Sequence, residues 1–305
     1  MRAFVIFAVA IPASASAGDP KFEYGKAEEV EKVKEVEWDA QAEAGVVFTT
    51  GNSETTTFAA GLKAARKTGN NKLAIEGSAT YAKSSLLILE DLNGNMLVDD
   101  ASEIRTQSTT TAESLAGKLR YDRFLDKNSS LFIAALASRD LPAGKENVFG
   151  GQLGYSRRLY KSEATEAVGE FGYDYSRENL VTGPSVSIHS LRAFVGIKAK
   201  MAEGTTLDTS VEGLTNLNHE NLATRMGGAD AGEDTRINFK AAISAKIGLN
   251  LAVQTSIEMK YDNRPAPLAI KNLAPGFVPE ASSFDTLMKA SLIYVFFAKP
   301  PEKKK

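Results

Sequence analysis

The sequence predicts an all-β chain closed into a single 12-stranded antiparallel transmembrane β-barrel of the outer-membrane type, on three observations. Apolar and polar residues alternate with a period of two in twelve segments between Glu37 and Phe297. The connections between segments alternate between tight and long, and aromatic residues gather near segment ends.

The leading hairpin, Glu37 to Lys67, sets the pattern. On its first arm Trp38, Ala40, Ala42, Ala44, Val46 and Phe48 alternate with Asp39, Gln41, Glu43, Gly45, Val47 and Thr49. On its second arm Phe58, Ala60, Leu62 and Ala64 alternate with Thr57, Ala59, Gly61, Lys63 and Ala65, across a turn at Thr49–Thr55. Successive side chains of a strand point to opposite faces, so each arm offers one face to an apolar medium and one to water. Each arm approaches the ~9–11 residues that a tilted strand needs to cross a bilayer.

Ten further segments follow. Segment three sets Leu73, Ile75 and Tyr81 against Glu76, Ser78 and Thr80, and segment four sets Leu115, Leu119 and Tyr121 against Lys118, Arg120 and Asp122. Segment five, Leu131 to Ser138, is apolar on both faces. Segment six opposes Phe149, Leu153 and Tyr155 to Gln152, Ser156 and Arg158; segment seven opposes Phe171, Tyr173 and Tyr175 to Glu170, Asp174 and Ser176. Segment eight opposes Leu191, Val195 and Ile197 to Ser190, Arg192 and Lys198, and segment nine Leu207 and Val211 to Asp208 and Glu212. Segment ten has Ile237, Phe239, Ile243 and Ile247 against Arg236, Lys240, Ser244 and Lys246. Segment eleven has Val253, Ile257, Met259 and Tyr261 against Gln254, Glu258 and Lys260, and the twelfth, Phe284 to Phe297, closes the series.

The connections after segments two, four, six, eight and ten are tight, at Thr68–Asn71, Asp126–Ser129, Lys161–Ala164, Ala202–Gly204 and Gly248–Asn250. Those after three, five, seven, nine and eleven are longer, at Ser84–Glu103, Arg139–Glu146, Asn179–Val186, Asn218–Asp234 and Asn263–Ser283. Short turns on one rim, long loops on the other and an even strand count are features of bacterial outer-membrane barrels. Trp38, Tyr121, Tyr160, Tyr294 and Phe296 fall near the short-turn rim, and Phe48, Phe58, Tyr81, Tyr173, Tyr175, Tyr261 and Phe284 toward the loop rim, as interfacial girdles require.

Composition narrows the function classes. The 305 residues carry a formal charge of −2, with 24% charged residues and no cysteine. That charge is too small to suggest nucleic acid, and a chain without cysteine has no disulfide scaffold, thiolate metal site or thiol nucleophile. Residues 1–17 read as a secretory signal: Arg2 gives the positive start, Ala3 to Ile11 the apolar core, and Ala15-Ser16-Ala17 the cleavage site. Residues 18–36 read as a charged periplasmic arm, 37–297 as the barrel and 298–305 as a charged tail.

Several stretches also match a known family. The Trp38 to Thr57 stretch with its Thr50-Gly51-Asn52-Ser53 turn, the Ser138-Arg139-Asp140 strand end, Gly150-Gly151-Gln152-Leu153-Gly154-Tyr155 and Gly169-Glu170-Phe171-Gly172-Tyr173 resemble the salt-induced outer-membrane protein family, also called domain of unknown function 481. The resemblance runs from about Trp38 to Phe297. It implies an outer-membrane barrel of Gram-negative bacteria, of unsettled activity, with a link to salt or osmotic stress. One departure is the tail: such barrels commonly stop at a terminal aromatic, whereas Ala298-Lys299-Pro300-Pro301 follows Phe297 here.

The candidate site residues are the charges on the predicted lumen faces: Glu170, Asp174, Arg192, Lys198, Asp208, Glu212, Arg236, Lys240 and Lys246. Acidic and basic strands alternate along this wall, which fits a selectivity-setting pore lining as well as a network of cross-strand pairs filling a narrow lumen. In the predicted loop Asp91-Leu92-Asn93-Gly94-Asn95 to Asp99, the oxygen side chains of Asp91, Asn93, Asn95 and Asp99 have partial calcium-loop spacing. Met96 and Ser102 stand where the sharp-turn glycine and the closing acid belong, so a solvated acidic loop is the expected reading and no metal is assigned. His189 next to Ser190 is the one local base–nucleophile pair, but adjacent strand residues point apart, so no enzyme is expected. No cofactor is expected. The expected partners are outer-membrane lipid, the barrel-assembly machinery, periplasmic chaperones, and small solutes or ions. The expected role is a passive pore or structural envelope barrel, porin-like in form; the alternative is surface binding through the loops.

Overall fold

In a computed structural model the chain is a closed barrel of twelve antiparallel strands. The structure describes residues 33–49, 54–89, 104–141, 143–181, 183–221, 227–266 and 282–297. The predicted signal, most of the periplasmic arm, the tail, the Thr50–Ser53 turn and the Asp91–Asp99 candidates lie outside the described residues.

In chain order the strands are β1 (Val33–Thr49), β2 (Glu54–Gly69), β3 (Asn71–Leu89), β4 (Ile104–Phe124), β5 (Ser129–Asp140) and β6 (Lys145–Lys161). They continue as β7 (Thr165–Leu180), β8 (Val186–Ala202), β9 (Thr205–Asn216), β10 (Thr235–Lys246), β11 (Leu251–Asp262) and β12 (Phe284–Phe297). Every strand pairs with its sequence neighbours, and β12 returns to β1 to close the ring.

Alternation makes the molecule inside-out. The outward positions keep large apolar groups exposed, among them Leu115, Ile133, Phe149, Leu153, Phe171, Val195, Ile243 and Met288. The inward positions bury Arg120, Gln152, Asp174, Arg192, Glu212 and Asn216. A soluble sandwich would reverse that assignment; only a hydrocarbon surround rewards the outward face, and closure leaves the backbone satisfied within it. Trp38, Tyr121, Tyr160, Tyr294 and Phe296 are exposed at one end of the apolar band, and Phe58, Tyr81, Tyr261 and Phe284 toward the other.

The rims differ from the sequence expectation. β5 runs to Asp140 and β6 starts at Lys145, while β7 runs to Leu180 and β8 starts at Val186, so two connections expected to be long shrink to 141–144 and 181–185. β3 runs on to Leu89, past a register shift at Ala82/Lys83, which shortens a third. β1 begins at Val33 rather than Glu37. Polar residues expected in the loop, such as Ser84 and Ser85, stay in the ladder opposite Thr109 and Ser108, because pairing with the neighbouring strand satisfies their backbone. Only the connections from β9 to β10 and from β11 to β12 remain long by comparison, with 90–103 between β3 and β4.

Candidate functional site

The lumen has two unlike halves. Along β4 to β9 it is packed with charge. Arg120 donates from Nε and Nη2 to both oxygens of Asp122 at 2.7–3.1 Å and from Nη1 and Nη2 to Glu170 at 3.2 and 2.8 Å. Arg192 donates to the other side of Glu170 at 2.9 Å and to Glu212 at 2.5 Å. Glu170 therefore sits between two guanidinium groups, and β4, β7, β8 and β9 are tied across the lumen rather than only along the wall. Gln152 hands a hydrogen bond to Asp174 at 2.9 Å, and Asn238 reaches Glu212 at 3.4 Å. Arg120 and Arg192 are 2% and 0% exposed, which in a nearly dry interior is tolerable only because each fork meets two carboxylates.

Segment five now has a reason for being apolar on both faces. Leu131 and Ile133 point outward, whereas Phe132 points inward and lies under the Arg120 guanidinium at 4.0 Å and near Arg192 at 5.8 Å. A cation over a ring face is attracted by its quadrupole, so the ring is a platform for the charge cluster. Two glycines make room for it. A Cβ at Gly154 would come within 2.9 Å of the Phe132 ring and 2.6 Å of the Phe171 carbonyl; one at Gly172, its register partner, would lie 2.3 Å from the Leu153 carbonyl.

A second tier of ion pairs stands at the loop end. Arg236 contacts Glu178 at 2.7 Å, Asp234 at 3.0 Å and Asp262 at 3.4 Å, and Lys145 reaches Glu178 at 3.2 Å. Above it the chain between β9 and β10 doubles back through paired backbone bonds of Glu220 and Ala229. Asn216 pins this return: its amide donates to the Asn218 and Asp230 carbonyls, and its oxygen accepts from Gly232 and Asp234. Burial raises the Glu220 carboxyl to about 8, with Asp234 the next cause, and Asp234 is raised as well, chiefly by its own burial.

The other half, along β1–β3 and β10–β12, is hollow. It holds a cavity of about 50 Å³, lined by Glu43, Lys63, Glu76, Lys118, Lys240, Glu258 and Lys289 together with Ser78, Thr80 and Leu287. Lys240 pairs with Glu258 at 3.0 Å, and Lys289 pairs with Glu43.

Of the sequence candidates, the structure brings Glu170, Arg192 and Glu212 into one cluster, places Asp174 beside Gln152, and puts Arg236 in the upper tier and Lys240 on the cavity wall. Lys198 and Asp208 face each other in register, partly buried, and Lys246 ends β10 exposed at the rim. Members that were not among the candidates include Arg120, Asp122, Glu178, Glu43, Glu258 and Lys289. The same period-two alternation held them; Glu178 lay past the expected strand end. His189 and Ser190 do not meet. The imidazole sits against Tyr175, ring centroids 5.0 Å apart, and hydrogen-bonds the Tyr173 hydroxyl on the outer face, while Ser190 is buried on the inner one.

A closed barrel with a hydrocarbon-compatible exterior and a charged, part-hollow interior is a transmembrane β-barrel. The chain belongs to the family described as "Protein of unknown function, DUF481", whose model matches residues 42–296. No curated protein matches it. Among solved structures it is similar to an outer membrane channel from Pseudomonas putida F1, at 11% identity and a TM-score of 0.47 over 90% of this chain and 100% of that one. It is also similar to the NanC porin (11%, TM-score 0.42, covering 85% and 100%) and to the translocator domain of the autotransporter NalP from Neisseria meningitidis (12%, TM-score 0.41, covering 85% and 88%).

Proposed function

We propose that the protein is a passive, non-enzymatic pore of the bacterial outer membrane, exported by its N-terminal signal, whose passage follows the hollow half of the lumen. The observation that carries this is the asymmetry of the interior: one half is cross-linked by fully buried Arg–carboxylate pairs, the other keeps a cavity of about 50 Å³ between lysines and glutamates. A purely structural barrel of this strand number has no need of that space, since narrow barrels fill with side chains. Four lysines against three glutamates on the cavity wall favour small anions. A role in salt or osmotic stress, delivery by periplasmic chaperones and insertion by the barrel-assembly machinery complete the reading.

Single-channel recording of the refolded barrel in a planar bilayer tests it. Discrete steps with an anion preference are expected, and Lys240→Glu should move that preference toward cations. Silence from protein that runs as a folded barrel would overturn the pore.

A further inference from the structure

The ring is closed least completely between β1 and β12. The β1–β2 ladder runs from Val33 to Thr49, but β1 meets β12 only over Ala40–Ala44 against Leu292–Phe297, with a register shift at Ala40/Gln41. Beyond Ala44, among the described residues, β12 continues to Phe284 paired with β11 alone, and β1 continues to Thr49 paired with β2 alone. The unjoined edge of β12, Phe284 to Ser291, is thus roughly 25 Å long at about 3.3 Å per residue.

That stretch is within the apolar band. Met288 and Phe284 on β12 and Val46 on β1 all face outward and are 63%, 55% and 50% exposed. Unpaired strand edges at membrane depth are tolerated only where they line a wet cavity or are covered. Such a cavity lies directly behind the edge: Gln41, Glu43, Leu287 and Lys289 belong to its wall. The ladder ends at a close approach, where a Cβ on Gly45 would lie 2.7 Å from the Ala290 carbonyl oxygen. At the same level the Lys289–Glu43 ion pair crosses from β12 to β1, with the Glu43 stem seated against Gly61.

We propose that the β1–β12 seam is a lateral portal between lumen and membrane, latched by Lys289–Glu43, and that its ligand is an amphipathic anion with a single acyl chain. The anionic head exchanges with Glu43 for Lys289 inside the cavity, while the chain passes between the outward Val46 and Met288 into lipid. This rests on the lumen being a passage, and it adds an exit that axial conduction does not need.

The chain has no cysteine, so a staple can be placed cleanly. Val46 and Ala290 are the outward positions that would pair next if the ladder continued past Ala44–Leu292, and V46C/A290C would hold the seam shut when oxidised. The probe is dodecanoate with a photoactivatable diazirine beside its carboxylate, dissolved in phosphatidylcholine vesicles holding the barrel. Labelling of the cavity residues Gln41, Glu43 and Lys289 should fall at least tenfold on oxidation and return with reductant, while ion conductance of the same vesicles stays constant. The unlatched variant E43Q, which needs no staple and leaves Lys289 to the anionic head, should raise cavity labelling severalfold. Labelling confined to the outer face, or equal in the stapled, reduced and unlatched proteins, overturns the portal. Loss of conductance with seam-dependent labelling intact would instead strike at the axial pore.

Discussion

The packed and hollow halves of the lumen are built from the same alternation, yet one is filled and the other keeps a cavity. The difference is the cation. On the packed side Arg120 and Arg192 each reach two carboxylates and lie over the Phe132 ring, and in the tier at the loop end Arg236 reaches three. On the hollow side Lys240 pairs with Glu258, and Lys289 with Glu43. A guanidinium fork can bridge strands that are not neighbours; an ammonium is a point charge on a flexible stem that stays near its wall. Arginine knits a lumen shut, and lysine decorates it.

If that contrast is right, the largest effect belongs to the residue with most arginines on it. Glu170→Ala would leave Arg120 and Arg192 facing each other in the interior with one carboxylate fewer. Removing one member of a buried ion network costs about 3–5 kcal/mol. Urea unfolding in lipid vesicles, followed by the folded-barrel shift on unheated gels, should show it. Glu258→Ala, the matching change on the cavity wall, should cost far less, because Lys240 beside it borders the cavity and is 22% exposed. Equal losses would dissolve the distinction between the halves.

Next in size is the platform. Phe132→Leu keeps an apolar group in place but removes the ring face, at a cost of about 1–2 kcal/mol for the buried cation–π contacts. It should also loosen the plug, seen as larger or noisier conductance steps. This residue marks how far the sequence was legible. Strand identity, strand number and the in-or-out assignment of Glu170, Arg192 and Glu212 follow from a period of two, a property of each strand alone. That Phe132 serves β4 and β8 from β5 depends on which strands meet across the lumen, and no local pattern encodes that. Leu131 to Ser138 therefore read as merely apolar. The rims misread for a related reason: turn-rich composition around Asp140 and Asn179 looks like loop, but β5 to β8 carry on because their neighbours do. The seam was equally hidden, since Gly45 to Thr49 alternate as regularly as the paired half of β1.

Charge removal on the hollow side probes function at a smaller cost in folding. Lys240→Gln should cost less than Glu170→Ala, because the Lys240 and Glu258 side chains keep 22% and 13% exposure where Arg192 and Glu170 keep none. Its conductance should lose anion preference. Arg192→Glu, by contrast, should fail to fold, so it reports nothing about selectivity.

The smallest expected effect is at the loop end, where Glu220 and Asp234 are buried together beneath the β9–β10 return. Arg236 faces them from β10, with Asp262 from β11, Glu178 from β7 and Lys145 from β6, while His219 and Asp230 pair at the exposed side of the same return. Burial holds Glu220 near 8, above its ordinary value of 4.5, so between those limits the folded loop keeps a proton that an opened loop releases. Closure is then fully supported below about 4.5 and weakens as pH rises toward 8. Amide exchange in the described part of the return, residues 217–221 and 227–234, should accelerate severalfold from pH 5 to pH 8 beyond the intrinsic base-catalysed change. Glu220→Gln should flatten that excess while leaving Arg236 its three carboxylates. A return equally protected at both pH values would place the Glu220 proton in the opened loop as well, and the upper tier would then hold its shape through Arg236 alone.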